Sequence, residues 1–319
     1  MSRFDYLTAK VTSADFTEIP FRHIHIDDFF SDSDFDEILA SPEIKLPPAD
    51  NDDQLFENLE GSGYKVIEFP GCITDRAEYL RWRHDPSQGA YHNTCEGFGM
   101  TLRLFEKRSE ILRELDEFLA SDEFNRAIAE KFDVDFDNCT IDGGIQKYLD
   151  GYEISPHPDI RRKAATFMVN INPHEASEEF DHHTHYMQLK PERAYVGSFW
   201  EGNPDFDRAW VPWDWCQTVT EQRRNNSIVL FSPSNDTIHA VRARYDHLKT
   251  QRTQLYGNLW YDKLPDRKPM KWEHLDLRAT GTDGITVNQI KGALPKPLRK
   301  GLKNVKAALP WNKTGKRKV

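Results

Sequence analysis

His157 and Asp159, two residues apart in the stretch SPHPDI, interrupt an apolar, β-prone run with an imidazole and a carboxylate. In an extended segment residues i and i+2 point to the same face, so both side chains can reach one point in space. Two ligands of a metal ion need that arrangement, and a pair of solvated polar residues at a strand end reads the same way. A site of two histidines and one carboxylate takes its second imidazole from elsewhere in the chain. Of the 12 histidines, His239 in NNSIVLFSPSNDTIHAV is the strongest candidate, because it follows an apolar strand and a Ser-Pro-Ser-Asn-Asp turn and opens the next strand. Such a histidine either lines a cavity or makes an ordinary hydrogen bond. Thirteen residues later Arg252 opens a strand in which Arg252, Gln254, Tyr256, Asn258 and Trp260 alternate onto one face. An inward-pointing arginine needs a partner. A ligand carboxylate supplies one by accepting two parallel hydrogen bonds, and a protein carboxylate at the strand end would serve equally.

The elements that position these residues follow from periodicity. FRHIHIDDFFSDSDFDEILAS reads as a short strand and a helix capped by Ser31, with Asp34 three residues on. Residues 45–75 are rich in Pro, Asp, Asn and Gly and read as an irregular excursion. TLRLFEKRSEILRELDEFLASDEFNRAIAEKF has apolar residues three and four apart and predicts helix, restarting at Ser121. From Cys139 the period changes to two. CTIDGGIQKYL, AATFMVNIN, THYMQL, RAYVGSFWE, SIVLFSP, IHAVRA and TQLYGNLWYDKL are strand candidates between turn residues. Many short strands indicate a sandwich or barrel rather than an alternating βαβ fold. The expected organisation is mainly β with α: an α-rich support region at 1–138, a β core at 139–283 and a basic tail at 284–319.

The order His-x-Asp, an interval of about 80 residues, then His, then Arg resembles the Fe(II)/2-oxoglutarate-dependent oxygenases, in the branch that holds the prolyl 4-hydroxylase-like enzymes. YLDGYEISPHPD, RRKAATFMVNIN, NSIVLFSPSNDTIHAV and QRTQLYGNLWY resemble successive strands of that branch. The likeness covers roughly residues 139–262, with a weaker one at FRHIHIDDFFSDSDFDEIL. It implies a double-stranded β-helix (jelly-roll) core in which His157, Asp159 and His239 hold Fe(II), with 2-oxoglutarate and O2 as co-substrates. Arg252 would bind the distal carboxylate of 2-oxoglutarate. Tyr148 and Asn170 occupy positions of co-substrate hydrogen bonds, Asn170 standing where a tyrosine is common. Family halogenases resemble this motif with Gly or Ala at the Asp159 position, so the carboxylate implies hydroxylation, with desaturation and ring formation as variants. Two departures stand out: RYDHL lengthens the His-to-Arg interval, and DHHTHYMQLKPE replaces a Gly-Gly-Glu stretch. His182, His183 and His185 in that segment read as surface or outer-layer residues, and a separate zinc site there lacks a fourth ligand.

Two other function classes compete. A cupin-like metal enzyme without 2-oxoglutarate would keep the metal triad and have no use for Arg252. A non-catalytic β-sandwich binding protein would tolerate loss of His157 or Asp159. The substrate is expected to be amino-acid-like, peptidyl or a small metabolite, and Trp200, Trp210, Trp213 and Trp215 mark an aromatic insert near the rim.

Composition bounds the rest. With 319 residues, 38% hydrophobic and 12% aromatic, the chain can bury a sizeable core. Ten of its 42 basic residues and none of its 52 acidic ones lie from Gly284 onward, leaving the remainder strongly acidic. That remainder has no basic face for nucleic acid, and no nucleic-acid partner is expected. In the tail Leu298, Leu302, Val305 and Leu309 share one helical face opposite lysines and arginines, a pattern that reads as a solvated, partly disordered tail or as an element for an anionic membrane surface or a protein partner. Cys72, Cys95, Cys139 and Cys216 are scattered, no leader-like apolar block opens the sequence, and a cytoplasmic setting is expected. Oligomeric state is not encoded in any visible pattern.

Overall fold

The change of period at Cys139 marks the start of the strand-rich part of a two-sheet β structure to which three earlier strands also belong. The computed structural model describes residues 2–68, 72–85 and 98–266. The described residues belong to one compact unit, and the basic amphipathic segment of residues 284–319 lies outside the described residues. In chain order the elements are α1 (Asp5–Ser13), β1 (Ile24–Ile26), α2 (Asp32–Ala40), α3 (Asp52–Gly61), β2 (Tyr64–Val66), α4 (Arg76–Arg83), β3 (Thr101–Leu104), α5 (Glu110–Leu119) and α6 (Asp122–Lys131). There follow β4 (Cys139–Tyr148), β5 (Glu153–His157), β6 (Lys163–Asn170), β7 (Thr184–Leu189), α7 (Tyr195–Gly202), β8 (Cys216–Gln222), β9 (Ile228–Phe231), β10 (His239–Arg242) and β11 (Arg252–Tyr261).

The strands form a seven-stranded sheet, ordered β1-β9-β6-β11-β4-β3-β2, and a four-stranded sheet, ordered β5-β10-β7-β8. Every pairing is antiparallel. The fold is therefore mainly β with α. From β4 onward the chain passes repeatedly between the sheets, which puts their inner faces around one space. The outer face of the large sheet is covered by helices. Leu112, Leu115 and Phe118 of α5 and Phe124 and Ile128 of α6 pack in one core with Ile145, Phe167, Leu255 and Leu259. Each such buried side chain stabilises the fold by about 1.5–3 kcal/mol. Gly257 of β11 is required here, because a Cβ would lie 2.2 Å from the Phe167 ring.

Capping follows the sequence. The Ser31 hydroxyl accepts from Asp34 N at 3.2 Å and that of Ser121 from Phe124 N at 3.4 Å. Three expectations need correction. The region 45–75 holds α3 and β2; Asn51, Asp52 and Asp53 are the cap and first turn of α3, and their loop-like composition hides it. TLRL is β3, since Leu102 and Leu104 satisfy a period of two as well, and the helix begins only after Ser109. RAYVGSFWE, read as a strand, carries α7, a short apolar run of the kind that periodicity cannot assign. The edge strand β8 escaped notice because its middle residues are exposed and polar.

Candidate metal centre and its cavity

β11 is buried along both faces, and its side-chain parity divides them. Leu255 and Leu259 face the helices, whereas Arg252, Gln254, Tyr256, Asn258 and Trp260 line a cavity of about 520 Å³ between the sheets. Two irregularities tune which residues join them. β5 has an extra residue opposite Ala240, and Pro156, which has no N–H to contribute to the ladder, sits there. β6 has an extra residue opposite Leu259–Trp260, so Lys163 and Thr166 both reach the cavity although they are three apart.

His157 ends β5 and His239 begins β10, and the two are cross-strand partners with ring centroids 4.3 Å apart. Asp159 follows in the left-handed region, with φ of 70°, a conformation that non-glycine residues seldom adopt. Thr237 Oγ1 donates to Pro158 O at 2.9 Å and ties this corner to the turn before His239. The Nδ1 of His157 lies 2.8 Å from Ser155 O and that of His239 lies 2.9 Å from Thr237 O. A carbonyl only accepts, so each Nδ1 carries a proton and each Nε2 is the ring atom turned toward Asp159. Those Nε2 atoms are 3.7 Å from Asp159 Oδ1 and 4.0 Å from Asp159 Oδ2 respectively. One ligand atom from each of the three residues lies within 4.8 Å of the others, and no other such cluster exists among the described residues.

The protonation states suit a cation. Burial, reinforced by His157, pushes His239 down to about 3. Burial alone would raise the Asp159 pKa, but Lys163 and the two histidines outweigh it and hold the group well below the usual carboxylate range. Lys163 Nζ donates to Asp159 Oδ1 at 2.7 Å and Thr166 Oγ1 to Asp159 Oδ2 at 3.1 Å. The donor set is two imidazoles and one anchored carboxylate, which fits Fe(II), Mn(II) or a similar ion.

Arg252 is 2% exposed. Its Nη2 donates to Thr184 Oγ1 at 3.0 Å, and its guanidinium lies 4.5 Å from the centre of the Tyr148 ring. Its Nη1 has no hydrogen-bond partner, and no carboxylate among the described residues pairs with it. Burial lowers its pKa, yet an arginine stays charged in a protein. Tyr148 lines the same cavity, with its hydroxyl donating to Gln146 Oε1 at 2.6 Å. Asn170 does not line it. The Asn170 amide donates to Gln222 O and Arg224 O and accepts from Gln254 Nε2, so its polar atoms are held by protein. Asn170 therefore stands outside the lining where a co-substrate contact was expected, and it holds Gln254 in place.

His182 and His183 are buried rather than superficial, whereas His185 is half-buried and lies 3.1 Å from Thr218 Oγ1. Burial, reinforced by Arg252, pushes His182 down to about 2 and His183 to about 4. The folded state therefore refuses protons that the unfolded chain takes up below about pH 6.5. Stability from these groups is complete above that pH and falls as pH drops toward 4, by on the order of 1–2 kcal/mol per histidine at pH 5. Urea midpoints should be lower at pH 5 than at pH 7.5, and His183→Gln should shrink the difference. An unchanged midpoint across that interval would refute the assignment.

Several supporting residues carry no sequence signal. Arg161, 4% exposed, binds the carbonyls of Trp200, Asn203 and Phe206, which pins the α7 insert against the corner that carries Asp159. Of the four tryptophans of that insert only Trp210 reaches the cavity. Tyr245, in the RYDHL insertion, donates its hydroxyl to Tyr148 O and accepts from Arg252 N at 2.9 Å. The insertion thereby braces the Arg252 end of the cavity. Lys163 falls four residues after Asp159, a spacing visible only once the bulge is known.

No family model and no curated protein matches the sequence. Among solved structures the chain is similar to a Pseudomonas putida prolyl-4-hydroxylase, at 11% identity over 81% of this chain and 98% of that one, with a TM-score of 0.39. It is similar to a Trichoplax adhaerens prolyl hydroxylase in complex with a hypoxia inducible factor peptide, at 11% identity over 81% and 89%, TM-score 0.36. It is also similar to the epimerase SnoN in complex with Fe3+, alpha ketoglutarate and nogalamycin RO, at 11% identity over 89% and 93%, TM-score 0.36. These likenesses are distant, and the roles of individual residues rest on the geometry of this chain's own site.

Proposed function

We propose that the protein is an Fe(II)- and 2-oxoglutarate-dependent oxygenase that hydroxylates an unactivated C–H bond, built on a double-stranded β-helix core. The single observation that carries the reading is Arg252: a buried guanidinium without a counter-charge, in the cavity where two histidines and an aspartate converge. A buried unpaired cation is destabilising by several kcal/mol. A dianionic keto-diacid removes that penalty, and together with a dication it adds no net charge. The distant similarity to oxygenases solved with 2-oxoglutarate points the same way.

In this reading His157, Asp159 and His239 hold the iron, which together with 2-oxoglutarate and O2 supplies oxidation of the substrate C–H with release of succinate and CO2. One oxygen atom of O2 ends in succinate and the other in the new hydroxyl. Lys163 and Thr166 each hold one oxygen of Asp159, so the carboxylate cannot swing. Arg252 and Thr184 receive the far carboxylate, and the Tyr148 and Tyr152 rings wall off that end from water. Retention of a carboxylate at position 159 favours hydroxylation. The substrate class is amino-acid-like, peptidyl or a small metabolite. A cupin-like enzyme leaves Arg252 without a role, and a binding module leaves the triad without one. The test is succinate release from 2-oxoglutarate in the presence of Fe(II), O2 and a panel of candidate substrates; metal-dependent turnover without succinate would refute the reading.

A further inference from the structure

Tyr256 lies four residues beyond Arg252 on the same face of β11, about 13 Å along the strand and past the reach of a five-carbon diacid held at Arg252. The cavity wall around it differs from the Arg252 end. Tyr256 Oη and Arg103 Nε are buried atoms of lining residues, and neither has a hydrogen-bond partner. Tyr256 as a whole is 9% exposed. The Arg103 Nε–H can only donate, so the group it meets must offer an acceptor. The cations of the lining here are already compensated. Arg103 Nη1 donates to Asp142 Oδ1 at 3.2 Å, with its guanidinium 5.1 Å from the centre of the Tyr256 ring; Lys163 is held by Asp159, and Arg208 Nε lies 3.4 Å from Asp207 Oδ2. No counter-ion is called for. A flat apolar face comes from Trp260, and further acceptor capacity from Asp142 and Asn258.

Resting on the oxygenase reading, we infer that this end of the cavity receives a neutral polyhydroxylated ring, a sugar or cyclitol unit, as the group that is oxidised or carried beside the oxidised carbon. Such a ring presents hydroxyls that accept and donate around its edge and C–H faces that lie on indole. That matches the unpaired Tyr256 and Arg103 donors, the Asp142 carboxylate and the Trp260 indole along the large-sheet wall. A peptide segment offers one carbonyl and one N–H per residue in a fixed alternation, and a phosphorylated ligand would call for a free cation that this end lacks.

The experiment uses the full chain loaded with Mn(II) and 2-oxoglutarate, whose own binding is recorded by calorimetry in the same sample. Methyl glycosides and myo-inositol, a sugar phosphate, and a short proline-containing peptide are then titrated against tryptophan fluorescence. The expected result is saturable binding of at least one neutral ring, weakened about tenfold in Tyr256→Phe and in Trp260→Phe, with metal binding retained in both variants. Binding of the peptide or the phosphate alone overturns the inference, as does binding of no probe while 2-oxoglutarate binds, or neutral-ring affinity that both variants leave unchanged. Failure of 2-oxoglutarate itself to bind overturns the oxygenase reading, and the calorimetric record separates that outcome from the others.

Discussion

His239→Ala is expected to weaken metal binding by more than about 100-fold, because loss of a direct ligand exceeds the 10–100-fold typical of an outer partner. The reason is geometric. His157 and His239 are the cross-strand pair on which the site is built, and with one imidazole gone a single histidine and Asp159 remain. The fold should survive, since His239 stands at a strand end and its Nδ1 makes only a local contact to Thr237 O. The change in unfolding free energy should stay within about 2 kcal/mol. Titration with Mn(II) under nitrogen, alongside thermal unfolding, checks both halves. Unaltered affinity in the variant would remove His239 from the metal site.

Arg252→Ala should weaken 2-oxoglutarate binding by about 2–5 kcal/mol, the range for truncating one partner of a buried charge pair. That is roughly a 30-fold to several-thousand-fold loss. Arg252→Lys should recover part of it, since the ammonium keeps the charge and loses the two-pronged donor geometry. Metal affinity should be unchanged in both. The free protein gives a second signature. Because Arg252 has no counter-charge among the described residues, its replacement by methionine should leave stability equal or higher. An arginine retained for a structural ion pair would behave in the opposite way, with a loss of stability and no effect on the co-substrate.

The convergence of His157, Asp159 and His239 was legible in the sequence because its information is local. His157 and Asp159 share a face by strand parity, His239 opens a strand after a turn, and the even-numbered row of β11 from Arg252 to Trp260 lines the cavity as the alternation requires. Lys163 and Thr166 were not legible, because a bulge in β6 breaks the parity that would have placed them together. His182 and His183 sit in a polar stretch whose composition resembles a surface loop; only the packing of Tyr245 and Arg252 from distant segments buries them. Asn170 has the parity of a cavity residue and is withdrawn by three hydrogen bonds to β8, the β8–β9 turn and β11. At the N-terminal end the same limits apply. Ser31 and Ser121 announce their helices through side-chain caps, and Asn51 caps α3 in the same way within a stretch of loop-like composition, whereas β3 depends on pairing that no short window contains.

The most direct test of the account is a calorimetric titration of the Mn(II)-loaded full chain with 2-oxoglutarate under nitrogen. It predicts one molecule bound per metal ion, with binding lost when the metal is removed. A protein that takes up one metal ion through His157, Asp159 and His239 and then shows no 2-oxoglutarate binding would contradict it.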